Sequence, residues 1–586
     1  MQKGENEALA SQEDSTTPIV PDNESLIAYF SMEIGLLDEL PTYSGGLGVL
    51  AGDALKSFAD LAIDVVGITL LSKKGYFYQK FDEHNWQQEE DYSWNPSDLL
   101  EKTDISFTVS IANRDVKVVV WKYILTGDGG HKLAIYFLDT DVEENDDDAK
   151  SYTQHLYGGD MRYRLAQELI LGLAGIRLLR KLNLFPKKYH MNEGHAAFIV
   201  CELDKELGHI EESKRDQLIR QLCSFTTHTP VPSGHDMFSQ SLISELFPQC
   251  QERLRNKAKT QHNNQDVFSM TKLALDHSAY CNAVSHQHQL VSQELFPHHT
   301  IDFITNGVHS QTWTNKHIAH IFDTYIPEWR RNPLELRKAL TIPEDELLIA
   351  HQKAKQELID YINSRYNAGF DAQLFTLGFA RRATGYKRAL LLLSNLQRLR
   401  EISQNVGKIQ LVFAGKAHPH DDEGKKIIQH IKEAAHLLAP QVRLVFIDNY
   451  TIFTGQLLTA GVDVWLNTPM RGLEASGTSG MKAAHNGVPS LSILDGWWVE
   501  GYVFEKTGWS IGKQTVISKN QDEINAQDFE HICQTLEKKI LPLFYTNPQA
   551  YAQLMRSTIA INASYFNTHR MVKQYLVRAY TRNIRE

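Results

Sequence analysis

Leu374-Phe375-Thr376-Leu377-Gly378-Phe379-Ala380 runs directly into Arg381-Arg382-Ala383-Thr384-Gly385-Tyr386-Lys387-Arg388. An apolar run of strand length, ended by a glycine turn and followed by four cations, has the form of a buried parallel strand. Its carboxyl end would open on the crevice where α/β sheets bind ligands. Leu392, Leu396 and Leu399 then lie at helical spacing and predict a helix directly after the turn. Runs of the same kind follow at 409–414, 442–447, 462–466 and 490–494, each pair separated by a helix-length segment, so the second half reads as a Rossmann-like unit.

Toward the amino terminus, short β-branched or aromatic runs at 26–31, 65–71, 116–124, 133–138, 188–191 and 224–228 alternate with helical patterns, and 301–305 is a further short strand. This alternation predicts an α/β chain. The expected organisation is a flexible polar tail over 1–24, an amino-terminal Rossmann-like domain over 25–315, a charged helical hinge region over 316–372, a second Rossmann-like domain over 373–528, and helices over 529–586 that pack back across both.

Composition narrows the classes. The chain has 586 residues, 42% hydrophobic and 22% charged, as in ordinary globular proteins. A net charge of -11 gives no general attraction to nucleic acid or anionic membranes, so neither is expected as a partner and any anion site is local. Five scattered cysteines without a CxxC pair indicate neither a disulfide framework nor a zinc ribbon. The opening residues lack the basic and apolar regions of a secretory leader, and no apolar run reaches membrane-spanning length, so a cytoplasmic protein is expected. The acidic run Asp141 to Asp148 lacks the glycine and spaced glutamate of an EF-hand and reads as a solvated loop.

Two further strings carry chemistry. Ser44-Gly45-Gly46-Leu47-Gly48 leads into a segment with apolar residues at helical spacing, and glycines before a helix leave amides free for an anion; an ordinary tight turn is the alternative. Glu474-Ala475-Ser476-Gly477-Thr478-Ser479-Gly480-Met481-Lys482 is a small-residue turn entering a short helix that Asn486-Gly487 stops. Its lysine lies among Met481, Ala483 and Ala484, company that lowers an amine's pKa and favours the neutral nucleophile, although a plain surface lysine remains open at this point.

Taken with Arg382 to Lys387, the Gly45-Gly46 turn, Phe225-Thr226-Thr227-His228-Thr229 and Thr305-Asn306-Gly307, that string closely resembles the α-glucan phosphorylases, the glycogen, starch and maltodextrin enzymes, in their short prokaryotic form. The resemblance implies a GT-B fold, two Rossmann-like domains facing a central cleft. It implies retaining phosphorolysis of the terminal glucose of an α-1,4-glucan by inorganic phosphate, giving α-D-glucose 1-phosphate, with pyridoxal 5'-phosphate as cofactor. Lys482 matches the lysine that carries the cofactor; Thr478, Arg381 and Lys416 match positions near its phosphate. Arg382 and Lys387, with the amides of Gly45 and Gly46, match the ligands of inorganic phosphate. Glu474, Ala475, Ser476, Gly477, Tyr386 and Asn306 match groups holding the glucose hydroxyls, and His228 the residue beside its ring. Arg382, Lys387, Lys482 and His228 are thereby the catalytic set. Because a carboxylate repels phosphate, Glu474 is expected on the sugar side of the site.

The sequence departs from the animal enzymes at Ile34-Gly35, after Glu33, where they carry aromatic residues, and at Thr384-Gly385, where they carry His-Glu. His190 to His195 lacks the HExxH spacing, and no metal is expected. Trp497-Trp498 reads as packing rather than a sugar platform. The rival is a nucleotide-sugar glycosyltransferase of the glycogen or starch synthase kind, which has no use for the Lys482 motif. The oligomeric state is left open, a homodimer being one option.

Overall fold

The computed structural model describes residues 25–512 and 520–581; the expected tail over 1–24 lies outside them. The chain is mixed α/β, with two large sheets. Across the larger, the strands run Asp302–Phe303, Tyr280–Ala283, Cys223–Thr226, Lys188–Asn192, Ile27–Ser31, Val65–Leu70, Lys132–Asp139, Arg114–Thr126 and Glu101–Ile111. The first seven pair in parallel; the last two add an antiparallel edge. The second sheet is wholly parallel, in the order Arg443–Ile447, Ile409–Ala414, Phe375–Ala380, Val464–Asn467, Ser490–Ile493 and Gly508–Ile511.

Phe375–Ala380 is buried along its whole length between two partner strands, which is why it reads as a continuous apolar run. The segment after it differs from expectation. Short 3-10 turns at Gly385–Lys387 and Leu391–Leu393 precede the helix, which starts only at Leu396. Arg388 adopts a left-handed φ of 49°, which breaks any helix running through the turn, and its guanidinium binds the carbonyls of Thr468 and Pro469. The basic string is therefore an irregular loop fixed against the next strand's end.

The charged segment between the sheets forms helices at Lys316–Tyr325 and Glu344–Tyr366. The second opens with Glu344, Asp345 and Glu346, ends near Arg365 and stops at left-handed Asn367, so its charges oppose its dipole and its exit angle is set. It is fixed to the second sheet by a buried triad: Asp463 accepts from Lys355 at 2.6 Å, from the Thr376 amide at 2.7 Å and lies 3.1 Å from His351. Burial raises the pKa of Asp463, but Lys355 and His351 outweigh it and hold the group ionised.

The carboxyl-terminal helices touch every layer. Phe529, Ile532 and Leu536 join the second sheet's core, and Tyr551, Met555 and Ile559 pack on the linking helices. Met571, Val572 and Tyr575 pack against the first sheet and the helix Gly46–Asp60. A hairpin, Tyr78–Phe81 with Gln87–Glu90, was not foreseen; its Gln79 and Gln87 donate to the carbonyls of Gly415 and Ala417, joining the first half to a loop of the second. The acidic run is also not simply solvated: Asp146 caps a short helix and, with Asp148, pairs with Arg114, while Glu144 pairs with Lys117.

Lys355→Met would leave the Asp463 carboxylate buried without its main counter-charge. Such a loss costs about 3–5 kcal/mol, so the urea midpoint should fall markedly with little change in slope; an unmoved midpoint would show that the triad carries no charge.

Candidate active site

Of the expected residues, Arg381 and Lys387 pair with Glu474, Arg382 lies beside Gly45, and Lys482 lies against Trp313, which is bonded to the helix Gly46–Asp60. Glu474 is buried and accepts from Lys387 at 2.9 Å and from Arg381 at 2.5 Å. Burial would raise its pKa, but the two cations outweigh this and hold it at about 2. Arg381 also donates to Asn467 on the adjacent strand end. Glu474, expected on the sugar side, is thus paired directly with Lys387, one of the two cations expected for the phosphate. Tyr386 lies beneath the Lys387 ammonium, 4.5 Å from ring centre to nitrogen.

Arg382 differs from its neighbours. It is exposed and has no hydrogen-bonded or ion-paired partner among the described residues, and a Cβ built on Gly45 would lie 3.8 Å from its Nη2. Loss of hydration pulls its pKa down, yet Tyr76, Glu33, Tyr386 and Tyr157 together leave it raised, so the guanidinium stays charged. Beside it, the exposed Gly46 has nothing within 4 Å of the place a Cβ would take. A free guanidinium facing an open glycine turn at a helix start is a fit place for an oxyanion.

Two turns down that helix Asp53 faces the neighbourhood of Lys482. Lys482 is buried on the short helix Ser479–Ala484, its nitrogen 3.6 Å from the centre of the Trp313 ring. Burial lowers its pKa to about 8, offset in part by Asp53, while Lys56 lowers it further. Asp53 accepts from Trp313 Nε1 at 2.7 Å and so fixes the indole under the amine. The surface-lysine reading fails here.

The turn before Lys482 is held from several sides. The Glu474 amide donates to Asp495 at 3.0 Å, Trp497 N–H donates to the Ser476 carbonyl at 2.9 Å, and Ser285 Oγ donates to the Ala475 carbonyl at 2.6 Å. Gly477, at φ 74°, takes a backbone state that other residues rarely adopt. Thr478 precedes the helix without a side-chain cap bond. Ser476 Oγ and Asn306 Oδ1 are buried without a hydrogen-bond partner, vacant valences that suit a polyhydroxylated ligand. Trp497 and Trp498 are buried with Trp313, Met481 and Phe566, as core.

No hydrogen bond or ion pair among the described residues joins His228, Asn306 or Lys416 to Glu474. His228 Nε2 lies 2.7 Å from Asn192 Oδ1 and its amide donates to Glu193; burial lowers its pKa to about 4. Asn306 is anchored through its carbonyl, which accepts from Arg570 at 2.9 Å. Lys416 donates to the Phe77 carbonyl at 2.9 Å, and burial lowers its pKa to about 7. His190 is a core residue, stacked on Tyr29 and bonded to Tyr580, while His195 joins Glu168 and Asp236 around the Arg164 guanidinium.

Sequence reasoning missed Trp313, Asp53, Asn467 and Asp495 and gave Glu33 no part in the turn. A signal existed for one of them: Trp313 stands on the segment that continues from Thr305-Asn306-Gly307. The others act through contacts between distant segments.

A family model for carbohydrate phosphorylases matches residues 157–576. Maltodextrin phosphorylase of Thermococcus litoralis is 36% identical over 604 residues, covering 96% of this chain and 71% of its own length. Glycogen phosphorylase of Aquifex aeolicus is 34% identical, covering 96% and 87%. Glycogen phosphorylase of Mycobacterium tuberculosis is 32% identical, covering 94% and 70%.

With a pKa near 8 in place of the usual 10.5, Lys482 should be modified by amine reagents with a rate that climbs through pH about 8. Site-resolved reductive methylation of the protein freed of pyridoxal phosphate, followed by mass spectrometry, reads this directly; a rate still rising steeply above pH 10 would contradict it.

Proposed function

The chain belongs to the carbohydrate phosphorylase family, and from that premise we propose a pyridoxal phosphate-dependent α-glucan phosphorylase that cleaves the terminal glucose of an α-1,4-glucan with inorganic phosphate. The product is α-D-glucose 1-phosphate with retained configuration. On this reading the two sheets would belong to the facing Rossmann-like domains of a GT-B enzyme, taken as 25–315 and 373–528, with 316–372 as the hinge and the carboxyl-terminal helices beginning at 529.

One observation carries the reading. The helix Gly46–Asp60 presents Arg382, unpaired, at its first turn and the Trp313–Lys482 pair at Asp53, about 10 Å further along its axis. An exposed cation and a buried amine of lowered pKa thereby lie along one helix, each carried by its own segment. The residues fit the cofactor: Lys482 offers a partly neutral amine in an enclosed setting, and Arg381, Thr478 and Lys416 are the groups to hold its phosphate. When bound there, pyridoxal phosphate supplies a phosphate group as acid–base partner to the substrate phosphate.

The protein's own groups do the rest. Arg382, Lys387 and the glycine turn bind inorganic phosphate; cations are needed because a second phosphate nearby would otherwise repel it. Glu474, Ala475, Ser476, Gly477, Tyr386 and Asn306 orient the glucose, with the vacant Ser476 Oγ and Asn306 Oδ1 available to its hydroxyls. His228, held neutral near pH 7 by burial, lies beside the ring as a hydrogen-bonding group rather than a charge. No carboxylate has to act as nucleophile, because phosphate attacks the anomeric carbon itself.

The test is direct: purified protein should absorb as a vitamin B6 enzyme and release glucose 1-phosphate from maltodextrin plus phosphate. Lys482→Ala should lose both cofactor and activity, and full B6 content in that variant would remove Lys482 from its role. Arg382→Ala removes a charge-assisted contact of about 2–3 kcal/mol. The KM for phosphate should therefore rise on the order of 30- to 160-fold while that for maltodextrin changes little; equal losses for both substrates would contradict the assignment.

A further inference from the structure

We propose that Glu33 is a built-in competitor for the phosphate subsite, a fixed carboxylate whose charge sets the affinity for inorganic phosphate. The inference rests on the phosphorylase reading above.

Gly45, at the start of the helix Gly46–Asp60, offers no side chain to cap it. Glu33, reaching over from beyond the end of strand Ile27–Ser31, binds the two amides just before the helix instead. Its Oε2 accepts from the amides of Ser44 at 2.5 Å and Gly45 at 3.3 Å, Ser44 Oγ reaches both oxygens, and Tyr157 Oη donates to Oε1 at 3.0 Å. The helix is shaped around this carboxylate. A Cβ on Gly48 would fall 2.7 Å from Glu33 Oε2, and one on Gly52 would fall 1.8 Å from the Gly35 carbonyl oxygen. The backbone after Glu33 is clamped in turn, since Gly35 N–H donates to the Gly48 carbonyl at 2.8 Å.

The opposite side of the same turn holds the unpartnered guanidinium of Arg382 and the open face of Gly46. One glycine turn thus has a negative group seated on its amides and, beside its free space, a cation that makes no ion pair and feels Glu33 only through space. A phosphate drawn to Arg382 either takes the Gly45 amide from Glu33 or remains against a like charge. Both routes weaken phosphate binding, and neither involves the glucan. The carboxylate keeps the turn ordered and at the same time raises the phosphate concentration the enzyme needs.

Glu33→Gln keeps the shape and an acceptor oxygen for the amides while removing the charge. Steady-state phosphorolysis should show the KM for phosphate, and the inhibition constant of sulfate as an unreactive dianion, both falling about 3- to 10-fold, with the maltodextrin KM unchanged. Tyr157→Phe takes a donor from Oε1 and leaves the charge in place with less screening, so its phosphate KM should rise slightly, and it decides the matter alone if Glu33→Gln does not fold. A phosphate KM that is unchanged or raised in Glu33→Gln, or unchanged or lowered in Tyr157→Phe, in an active enzyme, would make Glu33 a structural clamp only and overturn the inference. A wild type that forms no glucose 1-phosphate would overturn the phosphorylase reading and this inference with it.

Discussion

Three cations within seven residues at the end of one strand must be kept close together without forcing each other apart, and the carboxylate of Glu474 is what permits this. It neutralises Arg381 and Lys387 inside the protein and leaves Arg382 uncompensated. An unpaired buried charge is costly, so the loop carrying Glu474 has to be held in one conformation. Asp495 on the Glu474 amide, Trp497 on the Ser476 carbonyl and Ser285 on Ala475 hold it. The same loop leads into the helix of Lys482, so the position of the amine follows from the pairing of the cations.

The sequence made much of the fold legible for a physical reason. Fully buried parallel strands are continuous apolar runs, and Phe375–Ala380, Ile409–Ala414 and Val65–Leu70 carry that pattern in their residues. Half-exposed strands such as Glu101–Ile111, and the polar hairpin of Gln79 and Gln87, have no such signature and were not anticipated. The turn after Ala380 misled because Leu392, Leu396 and Leu399 keep helical spacing, although left-handed Arg388 delays the helix to Leu396.

In the candidate site, motif strings named candidate residues but not their pairing. That Glu474 faces Lys387, that Trp313 underlies Lys482, and that Glu33 sits on the amides of Ser44 and Gly45 all depend on contacts between segments far apart in sequence. The face of the helix Gly46–Asp60 shows this well. Asp53 meets Trp313, Lys56 meets Thr312, and Asp60 meets His309 and His569, so a polar row that looks like a solvent face in sequence is an internal seam.

The last of those contacts has a bearing on how the molecule is made. Arg570 supports the carbonyls of Thr305 and Asn306, and Tyr580 closes on His190 from 390 residues further along the chain. Domains tend to fold in the order of synthesis, amino-terminal part first. The first sheet therefore emerges from the ribosome with the backing of Asn306 and a flank of its core still untranslated. For that interval its apolar surface around Tyr29, Phe58 and His190 lacks this flank, and completion of the loop at Thr305 and Asn306 waits on one of the latest segments synthesised.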